Sequence, residues 1–89
     1  MLSREIEIIN KLGLHARAAA KLVSTAAQFT AEVKLGKASQ SINAKSIMGV
    51  MMLAASQGTR LTLEIDGEDE QQAMQAIVDL VNDYFGEGE

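Results

Sequence analysis

The chain has 89 residues, no cysteine, no proline and a single histidine, with a formal net charge of −4. Its length suits one domain, 1–89, with one modest core. The missing cysteines exclude a disulfide framework and thiolate chemistry, and the acidic balance argues against general nucleic-acid binding, which needs lysine and arginine to neutralise phosphates. No apolar run is long enough to span a bilayer, and the start, Met1-Leu2-Ser3-Arg4-Glu5, enters a strand pattern directly, so a cytoplasmic location is expected.

Taken in chain order, Glu5-Ile6-Glu7-Ile8 alternates polar and apolar residues and predicts a half-buried strand. Asn10 to Leu14 reads as a loop around Gly13. Ala16 to Phe29 reads as a helix, with Ala19, Leu22, Val23, Ala26 and Phe29 along one face. Ala31 to Leu35 alternates again, Gly36-Lys37-Ala38 reads as a turn, and Ser39 to Asn43 as a short polar edge strand. Ser46 opens a helix expected to reach about Ala55, and Leu61, Leu63 and Ile65 mark the clearest strand. After an Asp66-Gly67 turn, a last helix is predicted from about Asp69 to Phe85, with Ala73, Ile77, Leu80, Val81 and Tyr84 as its buried stripe and Gly86 as its stop. The order β-α-β-β-α-β-α fits an α+β fold with a four-stranded sheet and its helices on one face. Strand order is left open by the string, and a ferredoxin-like split βαβ with an added helix fits it too.

Charge is distributed unevenly. From Ile8 to Arg60 there are seven basic residues and one acid, Glu32; from Glu64 onward there are nine acids and no base. The acidic block reads as a solvated helix face, which leaves the surroundings of His15 electropositive. His15 stands between a loop and the start of the first helix, in Gly13-Leu14-His15-Ala16-Arg17. The unpaired N–H groups and the dipole of a helix N-terminus attract anions, Arg17 adds a planar charged donor, and Lys11 and Lys21 add longer-range attraction. Alanines at 16, 18, 19 and 20 are expected to keep the approach open. No second histidine, cysteine or acidic cluster completes a metal site, and no partner for a catalytic triad is recognisable. A lone imidazole backed by arginine and backbone suits a carrier of a phosphoryl group better than a turning-over enzyme.

The second notable segment is Ser46-Ile47-Met48-Gly49-Val50-Met51-Met52-Leu53, apolar on nearly every side. One sheet cannot cover all of it, so an exposed, methionine-rich patch is expected. Ser46 is a good N-cap. A phosphate on its hydroxyl would add about two negative charges beside the patch.

Together, Asn10-Lys11-Leu12-Gly13-Leu14-His15-Ala16-Arg17-Ala18 and Asn43-Ala44-Lys45-Ser46-Ile47-Met48-Gly49-Val50-Met51 resemble the active-site and regulatory-serine segments of HPr, the histidine-containing phosphocarrier family of the bacterial phosphoenolpyruvate-dependent sugar phosphotransferase system. The likeness extends over the whole chain, down to Gly67-Glu68-Asp69-Glu70 before the last helix. It implies an open-faced β-sandwich, four antiparallel strands in order 1-4-2-3 under three helices. It also implies a monomeric carrier with no cofactor and no metal. His15 would be phosphorylated on Nδ1 by enzyme I and would pass the group to an EIIA-type domain, with Arg17 steadying it. Ser46 would be the target of an HPr kinase/phosphorylase, and Ile47, Met48, Met51, Ala16 and Ala20 would form the docking surface. The resemblance departs at Ala18, where the family commonly has proline; this hints at a branch whose role is regulatory rather than transport. A purely regulatory module controlled at Ser46 is the alternative reading.

Overall fold

The computed structural model describes all residues, Met1–Glu89. The elements are β1 (Leu2–Glu7), α1 (Ala16–Ala27), β2 (Glu32–Lys37), β3 (Gln40–Asn43), α2 (Ile47–Met52), β4 (Arg60–Asp66) and α3 (Glu70–Asn82), followed by a short 3₁₀ turn at Tyr84–Gly86. The four strands form one antiparallel sheet in the order β1-β4-β2-β3, with the helices on one face. β4 pairs with both β1 and β2, which removes the ferredoxin-like alternative, because that arrangement leaves the fourth strand at an edge.

Alternation explains the sheet's single buried face. On β4, Leu61, Leu63 and Ile65 are buried while Arg60, Thr62 and Asp66 are exposed. Their cross-strand partners extend the apolar layer: Ile6 opposes Leu61, Leu35 opposes Leu63 and Val33 opposes Ile65. Leu22, Ala26, Val50, Ala73, Ile77 and Val81 close over it from the helices.

Boundaries differ from the sequence reading: β1 runs from Leu2 to Glu7 rather than over Glu5–Ile8, α1 stops at Ala27 short of Phe29, and three further changes reshape turns. β2 continues through Gly36 and Lys37, which pair with Ser41 and Gln40, and the hairpin turns at Ala38-Ser39 instead, with Ala38 at φ 55°. Gly36 also pairs with Thr62, so it serves the ladder and not the turn. α2 stops at Met52, and the chain enters the left-handed region at Ala54 (φ 50°). α3 stops at Asn82, and Tyr84, Phe85 and Gly86 follow with φ of 56°, 53° and 75°. That turn exposes Tyr84, which the helical stripe had placed inside, and buries Phe85 completely. Leu80 is half-buried against the core, and Met74 and Val78 take the covered positions beside it. Left-handed backbone is strained at the non-glycine residues Tyr84 and Phe85, and the complete burial of Phe85 together with the Lys21 hydrogen bond to its carbonyl holds the turn in place. The tail after α3 is thus pinned by its aromatic residue.

The loop before α1 is placed by a close approach. Gly13 has φ +67°, and a Cβ there would lie 2.6 Å from the Ala55 carbonyl oxygen and 2.8 Å from the Ser56 Cα. Next to it the Leu14 N–H donates to that same Ala55 carbonyl at 2.8 Å. Gly58 is also left-handed, at φ +90°, but a Cβ there meets nothing within 4 Å. Gly13→Ala is therefore predicted to cost about 2–4 kcal/mol, from strain and collision with backbone. Gly58→Ala should cost about 1–2 kcal/mol from backbone conformation alone. Denaturant unfolding of the two variants measures the difference.

Asp69, at the start of α3, does not cap its own helix through its side chain. Its carboxylate accepts from the N–H groups of Thr30 and Ala31, both at 2.9 Å, and so ties α3 to the entry of β2. The Thr30 hydrogen bond is the main cause of a lowered pKa; some desolvation opposes it and the Ala31 bond adds to it. Because the folded pKa lies below the unfolded one, this contribution is complete above the unfolded value and disappears as pH falls through the folded value. Asp69→Asn should lower stability most at neutral pH. The gap from wild type should close in acid, as followed by thermal unfolding across that range.

Candidate functional site

His15 is the N-cap residue of α1, in extended backbone (φ −71°, ψ 176°), and its side chain makes no cap hydrogen bond. Its carbonyl accepts from the Ala19 N–H at 2.8 Å. The N–H groups of Ala16, Arg17 and Ala18 have no carbonyl a turn behind them and remain unpaired at the helix mouth. The Ala18 N–H, which a proline in its place would lack, belongs to a fully buried residue, so the donors open to a ligand are those of Ala16 and Arg17. Arg17 is exposed and forms no ion pair or side-chain hydrogen bond within the chain.

The alanines divide. Ala16 and Ala20 are exposed, one turn apart, whereas Ala18 and Ala19 are fully buried in the core. The open approach expected from four alanines therefore comes from two. An open depression of about 650 Å³ lies in front of the ring, lined by Leu12, Arg17, Lys21, Gly86 and Glu87 among others.

The surroundings of His15 are not purely positive. The Nε2 atom of the ring, whose side chain is 28% exposed, contacts the Glu87 carboxylate, which is 12% exposed. The other Glu87 oxygen accepts from Asn10 Nδ2 at 3.0 Å. Asn10 is completely buried and also donates to the Gly13 carbonyl at 2.8 Å. Lys21 is not a free cation: its Nζ donates to the Phe85 carbonyl at 2.6 Å and fastens the tail to α1. Burial pushes the Glu87 carboxyl upward, but hydrogen bonds from Asn10 and His15, with charge interactions from His15 and Lys21, outweigh it and hold its pKa below the usual value. Neither Glu87 nor Asn10 is a candidate in the sequence. Their only signal is an acid set between two glycines after the helix stop, and a polar residue at the close of a strand.

Ser46 caps α2, its Oγ accepting from the Gly49 N–H at 3.2 Å. It lies at the far end of that helix from the His15 loop. The loop meets the chain just beyond the near end, through Leu14 and Ala55. On α2, Val50 is buried, while Ile47, Met48 and Met51 are exposed, Met48 at 73%. Met52 and, beside His15, Leu12 (68%) add to the uncovered apolar surface.

The family model described as "PTS HPr component phosphorylation site" matches residues 2–83. The chain belongs to the HPr family. It is 61% identical to the phosphocarrier protein HPr of Neisseria meningitidis serogroup A over the full length of both chains. Its fold superposes on a crystal structure of HPr from Thermoanaerobacter tengcongensis with TM-score 0.95 and 48% identity, covering 98% of each chain. A second structure from that organism, an HPr dimer, matches with TM-score 0.79 at the same identity, covering 98% of this chain and 100% of that one. The HPr fold, four antiparallel strands in order 1-4-2-3 with three helices, is the one described above, and HPr proteins are phosphocarriers of the phosphotransferase system.

Proposed function

We propose that His15 accepts a phosphoryl group on Nδ1 from phospho-enzyme I and passes it to an EIIA-type domain. The observation that carries this is the helix mouth. The ring's one side-chain hydrogen bond is at Nε2, so Nδ1 is unengaged at a helix mouth where the N–H groups of the exposed Ala16 and Arg17 and the Arg17 guanidinium are unpaired. A phosphoryl group on Nδ1 meets donors and a positive dipole already in place, and these stabilise the charge that develops during transfer. Arg17 binds its oxygens as a planar donor. Transfer is an exchange between nitrogens: the lone pair of Nδ1 forms the new bond to phosphorus, and the bond to the donor's nitrogen breaks with its electron pair.

Docking rests on Ala16, Ala20, Ile47, Met48 and Met51, and also on Leu12 and Met52, all of them uncovered. Unbranched methionine side chains repack against more than one partner. Ser46, at the edge of this surface, is the regulatory site for an HPr kinase/phosphorylase. A phosphate there places about two negative charges beside an apolar patch and weakens docking. In this reading residues 1–89 act as one domain, as a monomer in the cytoplasm, and the chain is substrate and donor rather than enzyme.

Incubation with enzyme I and labelled phosphoenolpyruvate tests it. Wild type should take up one acid-labile, base-stable phosphate. His15→Ala should take up none, and Ser46→Asp should be labelled at least about tenfold more slowly, equivalent to about 1.4 kcal/mol. Undiminished labelling of His15→Ala would overturn the proposal.

A further inference from the structure

Glu87 lies beyond the family-matched residues, which end at 83, yet its carboxylate is the one side-chain partner of the His15 ring. Its position is built. Phe85, two residues earlier, is fully buried, the Phe85 carbonyl is held by Lys21 at 2.6 Å, and the buried Asn10 amide holds the second Glu87 oxygen at 3.0 Å. An ionised carboxylate only accepts hydrogen bonds. The imidazole nitrogen facing it therefore carries the proton, and in the neutral ring the lone pair is on the other nitrogen.

We infer that Glu87 is a positioning residue for His15: it holds the ring as the Nε2–H tautomer, oriented so that Nδ1 is the nucleophile. The inference rests on His15 being the phosphoryl acceptor. As the Nδ1–phosphorus bond forms, no proton leaves the ring. Nε2 keeps its hydrogen, the ring gains positive character, and the carboxylate faces that charge directly. On the return step the same hydrogen bond loosens as the charge leaves with the phosphoryl group. A carboxylate orienting a histidine through the nitrogen not used for chemistry is a general device; where the histidine ligates a metal, losing such a partner costs about 10–100-fold in affinity or activity. Arg17, Lys21 and Glu89 also line this depression. Arg17 and Lys21 offset the repulsion between Glu87 and an incoming phosphoryl group.

Two measurements on Glu87→Ala test this, with Glu87→Gln as the variant that keeps an acceptor but drops the charge. In the unphosphorylated protein, ¹⁵N chemical shifts of the His15 ring at alkaline pH report the tautomer. Wild type should be almost wholly Nε2–H, and Glu87→Ala should move toward the mixture found in free histidine. The rate of labelling by enzyme I should fall about tenfold in Glu87→Ala and less in Glu87→Gln, while thermal unfolding shows the fold intact. An unchanged tautomer, or labelling as fast as or faster than wild type, would overturn the inference. Failure of wild type itself to accept label would instead remove the carrier reading, leaving the tautomer result to stand alone.

Discussion

The amide of Asn10 joins the two halves of the site. It is the one buried polar side chain in the core, and its nitrogen donates in two directions: to the Gly13 carbonyl in the loop that carries His15, and to Glu87 in the tail that faces His15. A buried donor left without acceptors costs about 1–3 kcal/mol. The loop and tail conformations that supply those acceptors are therefore favoured together. Gly13 lets the loop press against Ala55, Phe85 draws the tail inward, and Asn10 links the results. The histidine at the helix mouth is thus held by contacts spread over the length of the chain.

Electrostatics at the site combine opposite signs with separate tasks. In the proposed transfer, the unpaired N–H groups of α1 and the Arg17 guanidinium address the incoming phosphoryl oxygens. The Glu87 carboxylate addresses the ring. That transfer calls for both in one place, because a phosphorylated imidazole is anionic at one end and gains positive character in its ring. The acidic excess of the second half of the sequence is therefore not only a solvated helix face: Asp69 clamps the entry of β2, and Glu87 reaches the site.

The sheet and the helix mouth were legible in the sequence because both are local. Alternation along Leu61, Leu63 and Ile65 marks β4, and His15 sits where the loop pattern gives way to helical spacing. Strand order was open from the string and came with the family resemblance, since β4 between β1 and β2 is a pairing between distant segments. Tyr84 continues the helical spacing of α3 in the sequence, but a left-handed turn, which leaves no periodic trace, swaps it for Phe85 in the core. Ala18 reads as part of an open approach because a small side chain carries little hydrophobic signal, whereas Ala19 also falls on the apolar face of α1. Glu87 was invisible because nothing in its neighbours points to a histidine 72 residues away.

The central claim is that Nδ1 of His15 takes the phosphoryl group while Nε2, facing Glu87, keeps its proton. Phosphorus–nitrogen coupling in the phosphorylated protein, prepared with ¹⁵N-labelled histidine, reads this directly. The account predicts one-bond coupling of phosphorus to Nδ1, with Nε2 still bearing hydrogen. Coupling to Nε2, or phosphorus attached to any other residue, would contradict it.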